Sequence, residues 1–511
     1  MNTFMNGLKN FGNMTYTENG AAALKSTGSA VYDMFAVGAS YRNRSDEDII
    51  LLFKNALEEN ESLALKCLFY IRDIRGGQGE RRFFRVAYKW LANTYPTIAE
   101  RNLNQLSEYG RWDDLVYICI DTPLENKAMK IIRDQVNLDL ESKTPSLLSK
   151  WLPSENASSE DTKRAAHIVR KHLGLTSKQY RKVLSELRGR INVLERLMSA
   201  GRWSEIEFDK IPSKAGLVYK NAFATRDIIA AKYEAFAKDK STKVNAGALY
   251  PYEIVAKAVN YFGGYYGRGK NDATDRAMIE KYWESLPDYF KDNEGAKMIC
   301  VVDTSGSMTG HDAAAPINVA ISLGMYCAER LTGPFKNHYI SFASRPQLID
   351  TTQGVDFVDR VRRIYETNLC DNTNLEAVFD LLLQIAQQPG TKKEDIPTQV
   401  VVMSDMQIDI ITGPSYWHRG ASHASHRWTE ETTSTEMEKI KAKWAAAGFQ
   451  CPSITYWNLD ARGDANIIDK GPGVSFVSGF SPVIMKQILS GKTGYDLMLE
   501  PLMSARYKAI A

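Results

Sequence analysis

Cysteine is scarce in this chain and shows no pattern. Six cysteines serve 511 residues, at positions 67, 119, 300, 327, 370 and 451, and no two have CxxC spacing. That scatter argues against a disulfide framework or a structural zinc site, and predicts reduced thiols in a bacterial or infected-host cytoplasm. No apolar run reaches the ~20 residues of a membrane-spanning helix, which argues against a membrane protein. The opening Met1-Asn2-Thr3-Phe4 lacks a basic segment followed by an apolar one, so no secretory signal is expected. The glycine loop Gly76–Gly79 lacks the GK[ST] of a phosphate loop and follows no strand, which argues against ATP binding there. No nucleophile motif is found, and no His or Glu base stands beside the acidic residues discussed below; a hydrolase or nuclease is therefore the least favoured reading.

What is present is length and an uneven charge. A chain of 511 residues exceeds one hydrophobic core, so two or more domains are expected. The formal charge of +3 hides an asymmetry: residues 296–511 carry 20 Lys+Arg against 23 Asp+Glu, and residues 1–295 carry 44 against 38. Anion-binding capacity is therefore expected in the N-terminal part.

The C-terminal part alternates apolar runs with helical patterns. Strands are predicted near Lys297–Val302, His338–Ser341, Gln399–Ser404, Ser453–Trp457 and Val474–Ser478, and helices near 314–330, 355–366, 374–388, 432–447 and 482–489. That alternation predicts an open α/β sheet with a site at its carboxyl edge. The first strand ends in Asp303-Thr304-Ser305-Gly306-Ser307, which gathers one carboxylate and two hydroxyls. Hard oxygen donors of this kind suit Mg²⁺ or Mn²⁺. Thr373 stands at a predicted helix start, and Asp405 follows the run Gln399–Ser404. The three pieces, in this order, resemble the metal-ion-dependent adhesion site of a von Willebrand factor A domain. The resemblance implies that Asp303, Ser305 and Ser307 hold a metal, with Thr373 bound directly or through water and Asp405 through water. It also implies a partner protein that offers a carboxylate to the metal. Asp371-Asn372 stands before Thr373 where the family often has glycine, and the plain alternative is a Ser-rich turn with Thr373 as a helix cap. The stretch Ile408–Glu431 carries Trp417, His418, His423 and His426; a loop covering the site is favoured over a metal cluster, which lacks a fourth ligand. Arg462-Gly463-Asp464 is read as a chance tripeptide.

Residues 45–290 show helical periodicity. Ser45-Asp46-Glu47-Asp48 marks a helix start, and Ile49, Leu52, Phe53, Ala56 and Leu57 form its apolar face. Repetition of such patterns suggests stacked helix pairs, an α-solenoid. Gly110-Arg111-Trp112 is echoed by Gly201-Arg202-Trp203; an inter-helix turn is favoured over an RNA-facing Arg-Trp pair. The stretch Arg72-Asp73-Ile74-Arg75-Gly76-Gly77-Gln78-Gly79-Glu80-Arg81-Arg82 is a glycine loop flanked by arginines. Two readings compete: a phosphate contact through Arg72, Arg75, Arg81 and Arg82, or a flexible turn with solvated arginines.

Ala64 to Arg81 closely resembles the first helical repeats of TROVE-module proteins, the Ro autoantigen group, and more closely a bacterial and phage subgroup of TROVE-related proteins. The resemblance covers most of residues 40–511. It implies a HEAT-like helical ring over 41–290 and an A domain over 291–511 that closes the ring or docks a partner. Residues 1–40 carry little periodicity and are read as a mobile arm or a strap across the ring. It also implies binding of structured, single-stranded, non-coding or misfolded RNA in a ribonucleoprotein. The middle of the chain adds electrostatics. Lys163, Arg164, Arg170, Lys171, Lys178, Arg181, Lys182, Arg188 and Arg190 stand together against one acid, Glu186, with His167, His172 and Tyr180 interleaved. Such a run either neutralises RNA phosphates, with Tyr180 stacking on a base, or is a solvated helix face. Tyr261 to Lys270 mixes aromatics, glycine and cations, as a single-strand platform or a packed loop would. Two expectations follow: a non-catalytic RNA-binding protein without membrane or nucleotide partners, or a metal-dependent protein-interaction scaffold, which could be particle-associated.

Overall fold

The computed structural model describes residues 12–18, 21–191, 194–247, 249–262, 273–291, 293, 295–310, 312–343, 345–367, 373–408, 436–463, 467–468 and 471–511. The chain forms two compact units that interleave in sequence. One comprises Met1–Arg44, Tyr250–Asn271 and Asp288–Pro501; the other comprises Ser45–Leu249, Asp272–Pro287 and Leu502–Ala511. Division at residues 40 and 290 therefore misses three exchanges: the first 44 residues and Tyr250–Asn271 fold with the sheet, and the last ten fold with the helices.

The first unit is built on a six-stranded sheet of β3 (Met298–Asp303), β4 (His338–Phe342), β5 (Leu348–Asp350), β6 (Gln399–Ser404), β7 (Ser453–Asn458) and β8 (Val474–Ser478), in the order β5-β4-β3-β6-β7-β8. All pairs are parallel except β4–β5, which is antiparallel at the edge. The central strands read as unbroken apolar runs because helices cover both faces of a parallel sheet; every residue of β3 is buried. The sequence pattern missed β5, which is only three residues long and carries little periodicity.

The described residues between 12 and 44 pack within the sheet unit rather than forming a separate arm. β1 (Met14–Tyr16) and β2 (Ala22–Leu24) pair antiparallel. Helix Ala30–Val37, capped by Ser29, packs on β8. There the Phe476 amide donates to the Tyr32 hydroxyl at 3.0 Å, and the Ala39 amide donates to Ser478 Oγ at 3.2 Å.

The second unit is helical. Several of its helices start at side-chain caps: Ser45 accepts from the Asp48 amide at 3.1 Å, and Asn60 from the Leu63 amide at 3.0 Å, each satisfying an orphan donor. The core is aromatic. The Phe69 ring lies 5.3 Å from Phe84, 5.9 Å from Tyr88 and 5.3 Å from Tyr109, each edge-on. Cys67, Cys119, Cys300 and Cys327 are buried free thiols, and Cys451 is half-buried and free. Among the described residues no helix is long and apolar enough to cross a membrane.

Candidate functional site

The first site lies at the carboxyl ends of β3 and β6. Parallel pairing puts Val302 opposite Met403, so Asp303 and Ser404 end adjacent strands. Asp303 is fully buried. Its Oδ1 accepts from the Ser305 amide at 2.9 Å and its Oδ2 from Ser404 Oγ at 2.5 Å. Ser404 Oγ in turn accepts from the Met406 amide at 3.0 Å. The Ser305 and Ser307 hydroxyl oxygens are 3.0 Å apart.

Asp405 is also fully buried. Its Oδ1 accepts from the Gln407 amide at 3.2 Å. Its Oδ2 is buried without a hydrogen-bond partner, and the nearest cation is Arg462 Nε at 3.8 Å. The turn is held under strain, with Met406 at φ 67°, a region costly for a side chain with a Cβ. Thr373, buried just before helix Leu375–Ala386, donates its hydroxyl to the Gln407 carbonyl at 2.7 Å. That leaves its oxygen lone pairs free. The five predicted residues thus come together, with Thr373 joined through Gln407.

The electrostatics favour a cation. Burial pushes the Asp303 carboxyl well above its usual value, and the neighbouring Asp405 charge pushes it further. Burial also raises Asp405, only partly opposed by Ser307, the Gln407 amide and Arg462. Two buried carboxylates that repel each other, one with an oxygen left unsatisfied, cost free energy unless they are protonated or share a positive charge. Two carboxylates and three hydroxyls form an oxygen-only donor set, which fits Mg²⁺ or Mn²⁺. Among the described residues no group of three His, Cys, Asp or Glu side chains is arranged for a metal, so the hydroxyls would be needed. Asp371, Asn372 and the four aromatic and histidine residues of the 408–431 stretch lie outside the described residues.

Sequence reasoning missed several supporting groups. Ser404 bridges the two strand ends, and Arg462 faces Asp405 rather than being an idle part of a tripeptide. The segment after β1 anchors the third loop: Thr17 Oγ1 donates to the Ile408 carbonyl at 2.6 Å, and the Glu18 amide to Gln407 Oε1 at 2.8 Å. Only the Ser404-Asp405 adjacency was visible as a local signal.

The second set, the proposed RNA-contacting cations, divides sharply. Arg72 is 2 % exposed and donates Nε and Nη2 to Asp114 Oδ2 at 2.9 and 2.7 Å. It is a core residue and contacts no phosphate. The glycine loop is likewise not a phosphate cradle. Its amides are spent on the preceding helix: Gln78 N on the Tyr70 carbonyl at 3.0 Å, Gly79 N on the Asp73 carbonyl at 3.1 Å and Glu80 N on the Ile71 carbonyl at 2.8 Å. Glycine is required there for space and conformation, since a Cβ on Gly77 would sit 2.0 Å from the Tyr70 carbonyl oxygen and Gly79 has φ +67°. Arg75 is paired with Glu108 at 3.5 Å and Arg82 with Asp46 at 2.5 Å. Burial, then Arg85 and Arg111, hold Arg81 below its usual value.

In the middle run, Arg170 is paired with Glu155 at 2.8 Å, Lys163 with Glu160 at 2.7 Å and Arg164 with Asp121 at 2.6 Å. Arg188 and Arg190 bind carbonyls, among them Ser149 at 2.7 Å and Leu140 at 2.7 Å. Tyr180 is buried with its hydroxyl on the Pro153 carbonyl at 2.8 Å, so it is no stacking platform. Lys171, Lys178, Arg181 and Lys182 remain exposed, and none has an ion pair among the described residues. Both Gly-Arg-Trp turns pair their arginine with an acid, Arg111 with Asp113 at 2.7 Å and Arg202 with Glu205 at 3.3 Å. Residues 263–270 of the aromatic-glycine patch lie outside the described residues.

Comparison with known proteins places the chain as follows. Residues 297–502 match a domain of unknown function, DUF7788. Residues 17–146 and 134–295 match another, DUF2828. The uncharacterized protein L728 of Acanthamoeba polyphaga mimivirus is 29% identical over 526 residues, covering 94% of this chain and 85% of the relative. The crystal structure of the Deinococcus radiodurans RO (RSR) protein aligns with a TM-score of 0.43 and 14% identity, covering 91% of this chain and 100% of that one, a likeness too low to define a shared fold. The DUF2828 match spans more than half of the residues, and the chain therefore belongs to that family.

Proposed function

We propose that this chain is a non-catalytic RNA-binding protein. Its helical unit takes RNA phosphates through exposed cations, and its α/β unit is an A-type domain that holds Mg²⁺ and docks a carboxylate of a partner. The observation that carries the RNA reading is the separation among the basic residues. Most are spent on internal partners, whereas Lys171, Lys178, Arg181 and Lys182 are exposed without carboxylate partners among the described residues. Cations left free on helix Ser177–Arg190 and the end of helix Glu160–His172 can release counterions from a nucleic acid, giving salt-sensitive and weakly sequence-specific binding. The likeness of residues 64–81 to TROVE-module repeats supports the same assignment.

Mg²⁺ would be held by Asp303, Ser305 and Ser307, with Thr373 and Asp405 beside them, and would supply a Lewis-acidic point for a carboxylate. The reading is non-catalytic because the hydrogen bonds of both carboxylates go to a hydroxyl and backbone amides, with no His or Glu hydrogen-bonded to them among the described residues.

A second reading, a metal-dependent scaffold without RNA, is favoured by the unsatisfied Asp405 Oδ2. The nucleic acid co-purifying with the full chain, before and after a high-salt wash, separates the two. Salt-removable RNA supports the first. A clean protein that captures a partner only with Mg²⁺, and does so after nuclease treatment, supports the second.

A further inference from the structure

A cleft in the helical unit carries positive charge that its own walls do not neutralise. It occupies about 710 Å³ beside helices Leu148–Trp151, Ser177–Arg190 and Leu194–Ser199. Four cations line it, Lys150, Arg181, Arg188 and Arg196, with two acids, Glu155 and Glu195. Glu155 is neutralised by an arginine that does not line the cleft, whereas Glu195 keeps its charge and leaves the lining net positive. Glu155 is paired with Arg170 at 2.8 Å and accepts from Ser177 Oγ at 3.1 Å. Glu195 accepts from the Tyr219 hydroxyl at 3.3 Å.

None of the four cations is paired with a carboxylate among the described residues. Arg188 gives Nε to the Ser149 carbonyl at 2.7 Å, Nη2 to the Leu152 carbonyl at 3.0 Å and Nη1 to Ser154 Oγ at 3.2 Å. Two of the five N–H donors of its fork remain. These bonds also fix the guanidinium in place, so little side-chain entropy is left to lose on binding. Arg196 gives one donor to the Ser185 carbonyl at 2.8 Å. The Lys150 ammonium lies over the face of Trp151, 5.6 Å from the ring centre, without a side-chain hydrogen bond among the described residues.

A diester within a strand brings one charge and is flanked by sugars on both sides. A terminal monoester brings a charge of about −1.5 to −2 at pH 7 with three free oxygens. The latter better matches a recess of four cations and one uncompensated carboxylate, and arginine forks engage it bidentately. The volume lies in the range of pockets that enclose a nucleotide-sized group.

We propose that this cleft binds the terminal phosphate of an RNA strand. The proposal rests on the RNA reading above and specifies which part of the strand is gripped.

The test titrates the full chain with one short single-stranded RNA bearing a 5′-phosphate, a 3′-phosphate or only hydroxyl ends, and with adenosine 5′-monophosphate. Each titration is repeated for Lys150→Gln/Arg196→Gln and for Lys150→Gln alone, which removes no hydrogen bond. The wild type is expected to prefer one phosphorylated end by about tenfold, the worth of one charge-assisted bond. The double variant is expected to lose the preference while still binding the hydroxyl-ended strand, and the single variant to lose part of it. Equal affinity of the wild type for phosphorylated and hydroxyl ends overturns the proposal and leaves the RNA reading standing, as does a preference undiminished in both variants. If no RNA binds, the RNA reading falls. In that case nucleotide binding lost in the variants retains the phosphate site, and absence of nucleotide binding overturns it as well.

Discussion

Asp73 and Arg506 stand 433 residues apart in sequence and meet in the helical unit, where Arg506 Nη2 donates to Asp73 Oδ1 at 2.7 Å. The Tyr507 hydroxyl adds a bond to Asp73 Oδ2 at 2.9 Å, and its ring stacks on Tyr109 at 5.5 Å. Asp73 is fully buried. The arginine-glycine loop is thus a receptor for the segment 502–511, closed by reciprocal bonds between Asn102 and Ala511. Arg506 is partly exposed and water can solvate it, but the buried Tyr507 hydroxyl would lose its acceptor, so Asp73→Ala is expected to destabilise by about 1–3 kcal/mol. Urea unfolding checks this, and a double-mutant cycle with Arg506→Ala should show coupling above about 1 kcal/mol.

Asp114 should make the helical unit acid-sensitive. Burial raises its pKa, but Arg72 and Arg85 more than offset that and hold it below the usual carboxylate range. A carboxylate depressed in the folded state contributes its full stability above the unfolded value of about 3.9. That contribution is lost as pH falls through the lower folded value. Asp114→Asn should cost about 3–5 kcal/mol at pH 7 by stranding the buried Arg72. The deficit against wild type should shrink below pH 4, and unfolding free energies measured from pH 3 to 7 would reveal it.

The α/β unit makes a prediction of opposite sign. Asp303→Asn and Asp405→Asn each remove one of two buried carboxylates that repel each other. Without divalent cation both variants should be at least as stable as wild type. Mg²⁺ should raise the unfolding temperature of wild type only, by the linkage of binding to stability. Thermal scans with and without Mg²⁺ decide the matter, and a stabilising effect of Mg²⁺ retained in both variants would exclude these residues as ligands.

How much of this was legible in the sequence follows from distance along the chain. Asp303-x-Ser-x-Ser and the strand that carries it were readable because hydrophobic runs and turn motifs are local. Ser404 was not assigned a role, since its bond to Asp303 depends on strand order. Arg72 was misread because its partner Asp114 is 42 residues away. An arginine beside glycines has the same composition whether it faces a phosphate or a buried aspartate. Tyr180 looked available for stacking because its helix is rich in exposed cations, yet it sits on the buried side of that helix.

The N-terminal hairpin was illegible for the same reason, and its role can be tested. Thr17 anchors the Ile408 carbonyl, next to the loop that carries Asp405. Groups that orient ligands from behind typically matter about tenfold or more for metal affinity. Thr17→Val should therefore weaken Mg²⁺ binding by about tenfold with a small change in stability. Isothermal titration beside a thermal scan separates the two effects.

The most direct test of the central claim is RNA affinity as a function of salt for wild type and for Lys178→Glu/Arg181→Glu. Both side chains are exposed, so the fold should be unaffected. The account predicts a steep fall of affinity with salt in the wild type, and in the variant weaker binding with a slope reduced by about 0.7 per lost phosphate contact. Unchanged affinity and slope in the variant would contradict it.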